Sequence, residues 1–138
     1  MTNDTARLFL AKPWVAMLGV AAPGKGPLTV PVWYSLDNEG RPWLVSPKAS
    51  LKSRLIEAAS RFTLTVQREA RPYAYVSVEG PALLETAAPD DIKQMAVRYL
   101  GESAGGEFAD NMREVIEAGT RWRITLTPER WSTYGLGE

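Results

Sequence analysis

Residues 46–55 read "SPKASLKSRL" and carry the densest set of groups able to do chemistry in the chain. Ser50 is placed to cap a helix that begins at Leu51. The first-turn N–H groups of that helix have no intrahelical partner, so they and the positive end of its dipole face outward together. A phosphate seated there would receive those N–H groups, the Ser50 and Ser53 hydroxyls, the Lys52 ammonium and the planar fork of Arg54. A capped, solvated surface helix also accounts for Ser50. Against it, the basic residues Lys48, Lys52 and Arg54 stand where the dipole opposes them, and an anion would relieve that conflict.

Other chemistry is excluded by composition. The 138 residues contain no cysteine and no histidine. Disulfides, Cys/His zinc sites, haem histidine ligands and serine–histidine or cysteine–histidine catalysis are therefore impossible. Glu57, Glu69 and Glu79 show no spacing that demands an acid/base pair. With the usual histidine- and cysteine-based catalytic groups missing, any chemistry is expected to belong to a bound cofactor. Sixteen Lys and Arg balance sixteen Asp and Glu, unlike the basic excess of a general nucleic-acid binder. The N-terminus lacks a signal-like apolar core, and no apolar run approaches the roughly 18 residues of a membrane span. The expectation is a soluble cytoplasmic protein.

The elements that must position "SPKASLKSRL" follow from periodicity. A short helix is expected over 4–11, ended by Pro13. The apolar run 14–22 reads as a buried strand. Strand 28–36 alternates, with Leu28, Val30, Val32, Tyr34 and Leu36 opposite Thr29, Pro31, Trp33 and Ser35. Pro31 cannot donate a ladder bond, which puts an edge, a bulge or a ligand beside it. "DNEGR" turns the chain into strand 42–46, and the helix over 50–59 follows. Strand 61–69 alternates again. Strand 72–85 bends at Gly80-Pro81, as at a barrel corner. A helix from Pro89 to about Leu100 and another over 106–118 flank a break at "GESAGG". Strand 121–131 closes the chain. These six strands, joined mostly by tight turns, predict one mainly β domain over 1–138: an antiparallel split or closed barrel, with a short helix after strand 3 and a helical pair before the last strand. Trp33 and Trp43 flank the same turn and offer flat surfaces to a planar ligand or to their own core.

The segments "PLTVPVWYSLDNEGRPWLVSPKASLKSRLIEAASRFTLTV", "YAYVSVEGPALL" and "WSTYGL" together resemble the pyridoxamine 5′-phosphate oxidase-like split β-barrel family, which binds flavin or deazaflavin nucleotides. The resemblance spans most of the barrel. It implies a homodimer with a cofactor in each of two interface clefts. Val30, Pro31, Val32 and Trp33 would line the ring, and Val45 and Ser46 would border it. Ser50 and Lys52 would hold the phosphate with help from Arg54, while Gln67 and Tyr73 would approach from the partner subunit. The implied activity is hydride transfer between the ring and a small, planar, electron-poor substrate. A cofactor-storing dimer without activity has the same anchor, and a barrel that stacks single-stranded nucleic acid is a third possibility, disfavoured by zero net charge. The chain is shorter than pyridoxamine phosphate oxidases proper and lacks their C-terminal substrate segment, which argues against that substrate. The ending "WSTYGL" resembles the branch using deazaflavin coenzyme F-420, which favours F-420 over FMN.

Overall fold

The computed structural model describes residues 3–137. Its elements are α1 (Asn3–Leu10), β1 (Ala16–Val20), β2 (Leu28–Val32), β3 (Ser35–Leu36), β4 (Pro42–Pro47), α2 (Leu51–Ala59), β5 (Arg61–Arg68), β6 (Ala74–Thr86), α3 (Pro89–Leu100), α4 (Glu102–Glu117), β7 (Arg121–Leu126) and β8 (Arg130–Tyr134). The described strands form one curled antiparallel sheet in the order β2-β1-β5-β6-β7-β4-β3, with β8 also paired to β6. The fold is mainly β, as expected, but with eight strands rather than six.

Both extra strands arise where an expected strand is interrupted. Strand 28–36 divides at Trp33 and Tyr34, so β2 ends one edge of the sheet and β3 the other. Tyr34 turns fully inward, and its hydroxyl donates to the Leu10 carbonyl at 2.7 Å. Its backbone N–H donates to the Tyr99 hydroxyl at 3.1 Å instead of a strand neighbour. Burial pushes the Tyr34 phenol far above its ordinary pKa, so it stays a neutral donor. The expected strand 121–131 divides in the same way at 127–129, where β7 passes into β8.

That second break explains the bend in β6. The first half of β6 pairs with β5 and β8, and its second half with β7. Between them Thr127 donates its N–H to the Pro81 carbonyl at 3.0 Å, and Glu129 to the Glu79 carbonyl at 2.9 Å. The crossing brings the Thr127 carbonyl oxygen to 1.9 Å from where a Cβ on Gly80 would stand. Only glycine lets the two backbones approach this closely.

Alternation sorts the faces. Leu18, Leu64, Val66, Val76, Val78 and Ile124 point inward and pack with Ile56 of α2. The outer face of the β1–β2–β5–β6–β8 half carries small or uncharged residues in register, among them Pro31, Met17, Thr65, Ser77 and Ser132. The apolar run 14–22 is thus buried on one side alone: Met17 is 46% exposed and Val15 57%.

The expected break at "GESAGG" shrinks to Gly101, whose φ of 87° turns the chain between α3 and α4. Gly105 belongs to α4, and a Cβ there would lie 2.6 Å from the Val97 Cα. These glycines serve a close helix crossing rather than a loop. Ile92, Ala109 and Ile116 fill that crossing, with Val45, Phe108 and Met112 packed against them.

Gly80→Ala is expected to destabilise the fold by about 2–4 kcal/mol, because a backbone must shift to admit one methyl group. Gly26→Ala, where a Cβ would meet nothing within 4 Å, is expected to be near neutral. Urea denaturation of both variants checks the contrast.

Candidate functional site: a cationic mouth at the start of α2

Ser50 caps α2 as its type and position require, with extended backbone and its hydroxyl oxygen accepting from the Ser53 N–H at 3.2 Å. Ser53 is fully buried, and its own hydroxyl donates to the Ser46 oxygen at 2.8 Å. The Ser46 and Ser50 hydroxyls lie 3.0 Å apart. These three serines tie the end of β4 to the start of α2. The Ser53 hydroxyl is therefore spent inside the fold and is not a donor to a ligand, contrary to the expectation from the sequence. Arg54 N–H bonds to the Ser50 carbonyl at 3.1 Å and begins the helical ladder. Among the described residues nothing accepts from the Leu51 and Lys52 N–H groups, which lie at the open end.

Cations gather around that end from three segments. Lys52 is half-buried on α2, and Arg54, two residues further on, is exposed. Arg121 opens β7 directly opposite Pro47 of β4. Lys48, between them, donates to the Thr86 hydroxyl at 2.9 Å and stands 4.3 Å above the Trp122 ring. Burial, and next the Arg121 charge, hold the Lys52 ammonium below the ordinary lysine pKa. The described carboxylates form no ion pair with Lys48, Lys52, Arg54 or Arg121. The Trp122 Nε1 is buried without an acceptor. Free N–H groups and unneutralised cations together form an environment short of negative charge. It fits an anionic oxygen group such as a phosphate.

The other residues singled out in the sequence divide into two groups. Val30 and Val32 are half-buried against the core. Trp33 is half-buried, stacked on Tyr99 at 4.8 Å with the rings 4° apart, and tilted against Phe108 at 6.2 Å. Val45 packs into the same helical-pair cluster as Phe108, so Trp33 and Val45 flank one feature. Pro31 and Gln67 instead line a groove of about 800 Å³ on the outer sheet face, with Val15 and Met17. Gln67 and Tyr73 also border a smaller hollow beside the stacked pair Tyr75–Tyr134. One chain therefore does not gather all eleven residues into one pocket. Trp43 offers no surface to a ligand: it is 1% exposed, under the Arg123 guanidinium at 4.1 Å.

Arg121 and Trp122 border the site although the sequence reading gave them no role in binding. The "RWR" at 121–123 was visible, but its placement depends on the β4–β7 register. Glu79 is engaged by Arg61 and Arg130. No cluster among the described residues could hold a metal ion, and no described helix is long and apolar enough to cross a membrane.

This architecture is that of the split β-barrel proteins. A conserved hypothetical protein from Mycobacterium tuberculosis superposes with a TM-score of 0.77 at 18% identity, over 99% of this chain and 86% of the other. An F420 reductase matches with a TM-score of 0.71 at 19% identity, over 91% and 94% of the two chains. A FAD-binding protein from Mesorhizobium loti matches at 0.66 and 17% identity, over 96% and 92%. Neighbours at 14–20% identity also include pyridoxamine phosphate oxidase-like and heme-binding proteins. At such identities the likeness establishes the fold. No family model and no curated protein matches the sequence.

The shifted Lys52 predicts a cost in the unliganded fold. At neutral pH both folded and unfolded states carry the charge, but the folded state holds it less favourably. Lys52→Met is expected to raise Tm by about 1–3 °C. The gain should shrink as pH rises toward the ordinary lysine value of 10.5, because the folded lysine then loses its proton first. Thermal unfolding at pH 7 and at alkaline pH checks both parts.

Proposed function

We propose that the protein binds a flavin or deazaflavin nucleotide and serves as an oxidoreductase acting on a small, planar, electron-poor substrate. The observation that carries this reading is the unneutralised cationic mouth at the start of α2. It lies at the end of a split-barrel strand in a fold shared with an F420 reductase and a FAD-binding protein. Ser50 and Lys52 would hold the phosphate through the capped helix end, with Arg54 at its rim. Val30 to Trp33 and Val45 to Ser46 would border the ring, and the stack of Trp33 on Tyr99 would keep that wall rigid. The bound ring would supply the hydride chemistry, and the reduced acceptor would take its proton from water. The residues of this chain would orient the ring and keep water from it. F-420 is favoured over FMN by the "WSTYGL" ending and by the F420 reductase neighbour.

A homodimer completes this reading. The outer face of the β1–β2–β5–β6–β8 half is uncharged at its centre and exposes Val15, Met17, Tyr75 and Tyr134, as a partner-binding patch would. Gln67 and the 56%-exposed Tyr73 stand on it and would complete a partner's cleft. Sedimentation is expected to give a dimer at micromolar concentration. Met17→Arg is expected to shift it to monomer and weaken cofactor binding.

Calorimetric titration with F-420 and FMN tests the anchor. Lys52→Ala should lose a charge-assisted contact worth about 1.5–3 kcal/mol, or roughly ten- to over a hundredfold in affinity, with the fold intact. Unchanged affinity would make Lys52 an ordinary surface charge. Turnover of a nitroaromatic or quinone acceptor with reduced cofactor separates an enzyme from a storage protein.

A further inference from the structure

Resting on that reading of the site, we propose that Tyr99 is a positioning residue for the cofactor ring. Its hydroxyl stands where the β1–β2 ladder would continue, holds the two strands apart and so frees Trp33 to form the wall beside the ring. The ladder runs from Val20 opposite Leu28 to Ala16 opposite Val32. Two residues on, the same register sets Trp14 against Tyr34, and a continued ladder would join those two backbones directly. Instead the Tyr34 N–H donates to the Tyr99 hydroxyl at 3.1 Å, and that hydroxyl donates to the Trp14 carbonyl at 2.6 Å. The Tyr34 carbonyl also lies 3.1 Å from it, and the Trp14 N–H turns back to the Lys12 carbonyl at 2.8 Å. The backbone groups of both residues are thus diverted from each other, three of them to one side-chain oxygen.

The consequences converge on the segment that would border the ring. The Tyr99 ring stacks on Trp33 at 4.8 Å with the planes 4° apart. One residue therefore interrupts the ladder and also supports the side chain that the interruption releases. Trp14, on the other strand, is fixed by its Nε1–H, which donates to the Phe9 carbonyl at 2.8 Å, and by its stack on the Phe9 ring at 5.0 Å. Trp14 in turn lines the outer groove with Val15 and Pro31. A tyrosine that served the α3–α4 packing alone would need one acceptor for its hydroxyl and no place at the end of a ladder. Without that oxygen, Tyr34 could close on Trp14 to the ~2.9 Å of a direct bond. Trp33, its neighbour, would be drawn back toward the strand and off the wall.

The experiment reads the bound ring rather than turnover. F-420 and FMN are titrated into the wild type, Tyr99→Phe, Trp33→Leu and Lys52→Ala. Acrylamide quenching of the ring's fluorescence is then measured at saturation with the tighter ligand. Tyr99→Phe keeps an aromatic ring against Trp33 and removes only the hydroxyl. It should weaken binding about three- to tenfold, on the scale of one hydrogen bond, and raise the quenching of the bound ring. Trp33→Leu should raise it likewise, whereas Lys52→Ala should weaken binding and leave the quenching of the bound ring unchanged. Unchanged quenching in Tyr99→Phe, with only a lower Tm, would overturn the positioning role and leave the proposed cofactor class standing. So would a rise in Lys52→Ala as large as that in Tyr99→Phe, because the wall would then not be what shields the ring. If Tyr99→Phe fails to fold, Trp33→Leu keeps the test: raised quenching supports the wall that Tyr99 holds, and quenching equal to the wild type overturns it. If neither ligand binds the wild type, the proposed function and the role of Tyr99 fall together.

Discussion

At Gly80 the β6 backbone passes beneath the Thr127 carbonyl with no room for a side chain. The rest of the barrel depends on that crossing. A strand of 13 residues cannot pair along its whole length with one straight neighbour in a sheet this curled. β6 therefore changes partners at Gly80-Pro81, while β7 passes into β8 on its flank. The bend carries β7 to β4, and β4 ends at the cationic mouth. The site is thus set by a backbone contact far from it in sequence.

A second constraint seals the barrel where β2 leaves one sheet edge and β3 joins the other. Tyr34 supplies it through its inward ring and the bonds to Leu10 and Lys12. Arg98 of α3 donates to the carbonyls of Leu10, Ala11 and Lys12 at the end of α1. Its guanidinium also lies 5.0 Å from the centre of the Tyr34 ring. Tyr99, the next residue, donates to the Trp14 carbonyl at 2.6 Å and stacks its ring on Trp33. Two consecutive residues of one helix thereby bind α1, the β2–β3 junction and the wall beside Trp33 into a single unit.

The mouth itself opposes stability. Like charges stand together at the end of a helix dipole that disfavours them, and the half-burial of Lys52 adds desolvation. Elsewhere Arg41, Arg61, Arg113, Arg123 and Arg130 pair with carboxylates, and at the surface each such pair contributes little. Unfavourable electrostatics retained in one place, beside open N–H groups, is what a site for an anion requires before its ligand arrives.

Local chemistry was legible in the sequence wherever the deciding interaction is itself local. Ser50 caps α2 because its oxygen reaches an N–H three residues on. Pro89 opens α3, and the alternation of β5 separates Phe62, Leu64 and Val66 from Thr63 and Thr65. The absence of histidine and cysteine excluded whole reaction classes. Tertiary structure decided what depends on distant pairing. Strand 28–36 reads as continuous because nothing within it reveals that Tyr34 will bond to α1 and α3. Strand 121–131 reads so too, because its break answers Gly80 some 47 residues earlier. Trp33 and Trp43 were indistinguishable as letters; one stacks half-exposed on Tyr99, while the other is buried under Arg123. Arg121 joins Lys52 through the β4–β7 register alone, and a register is a property of two strands meeting in space.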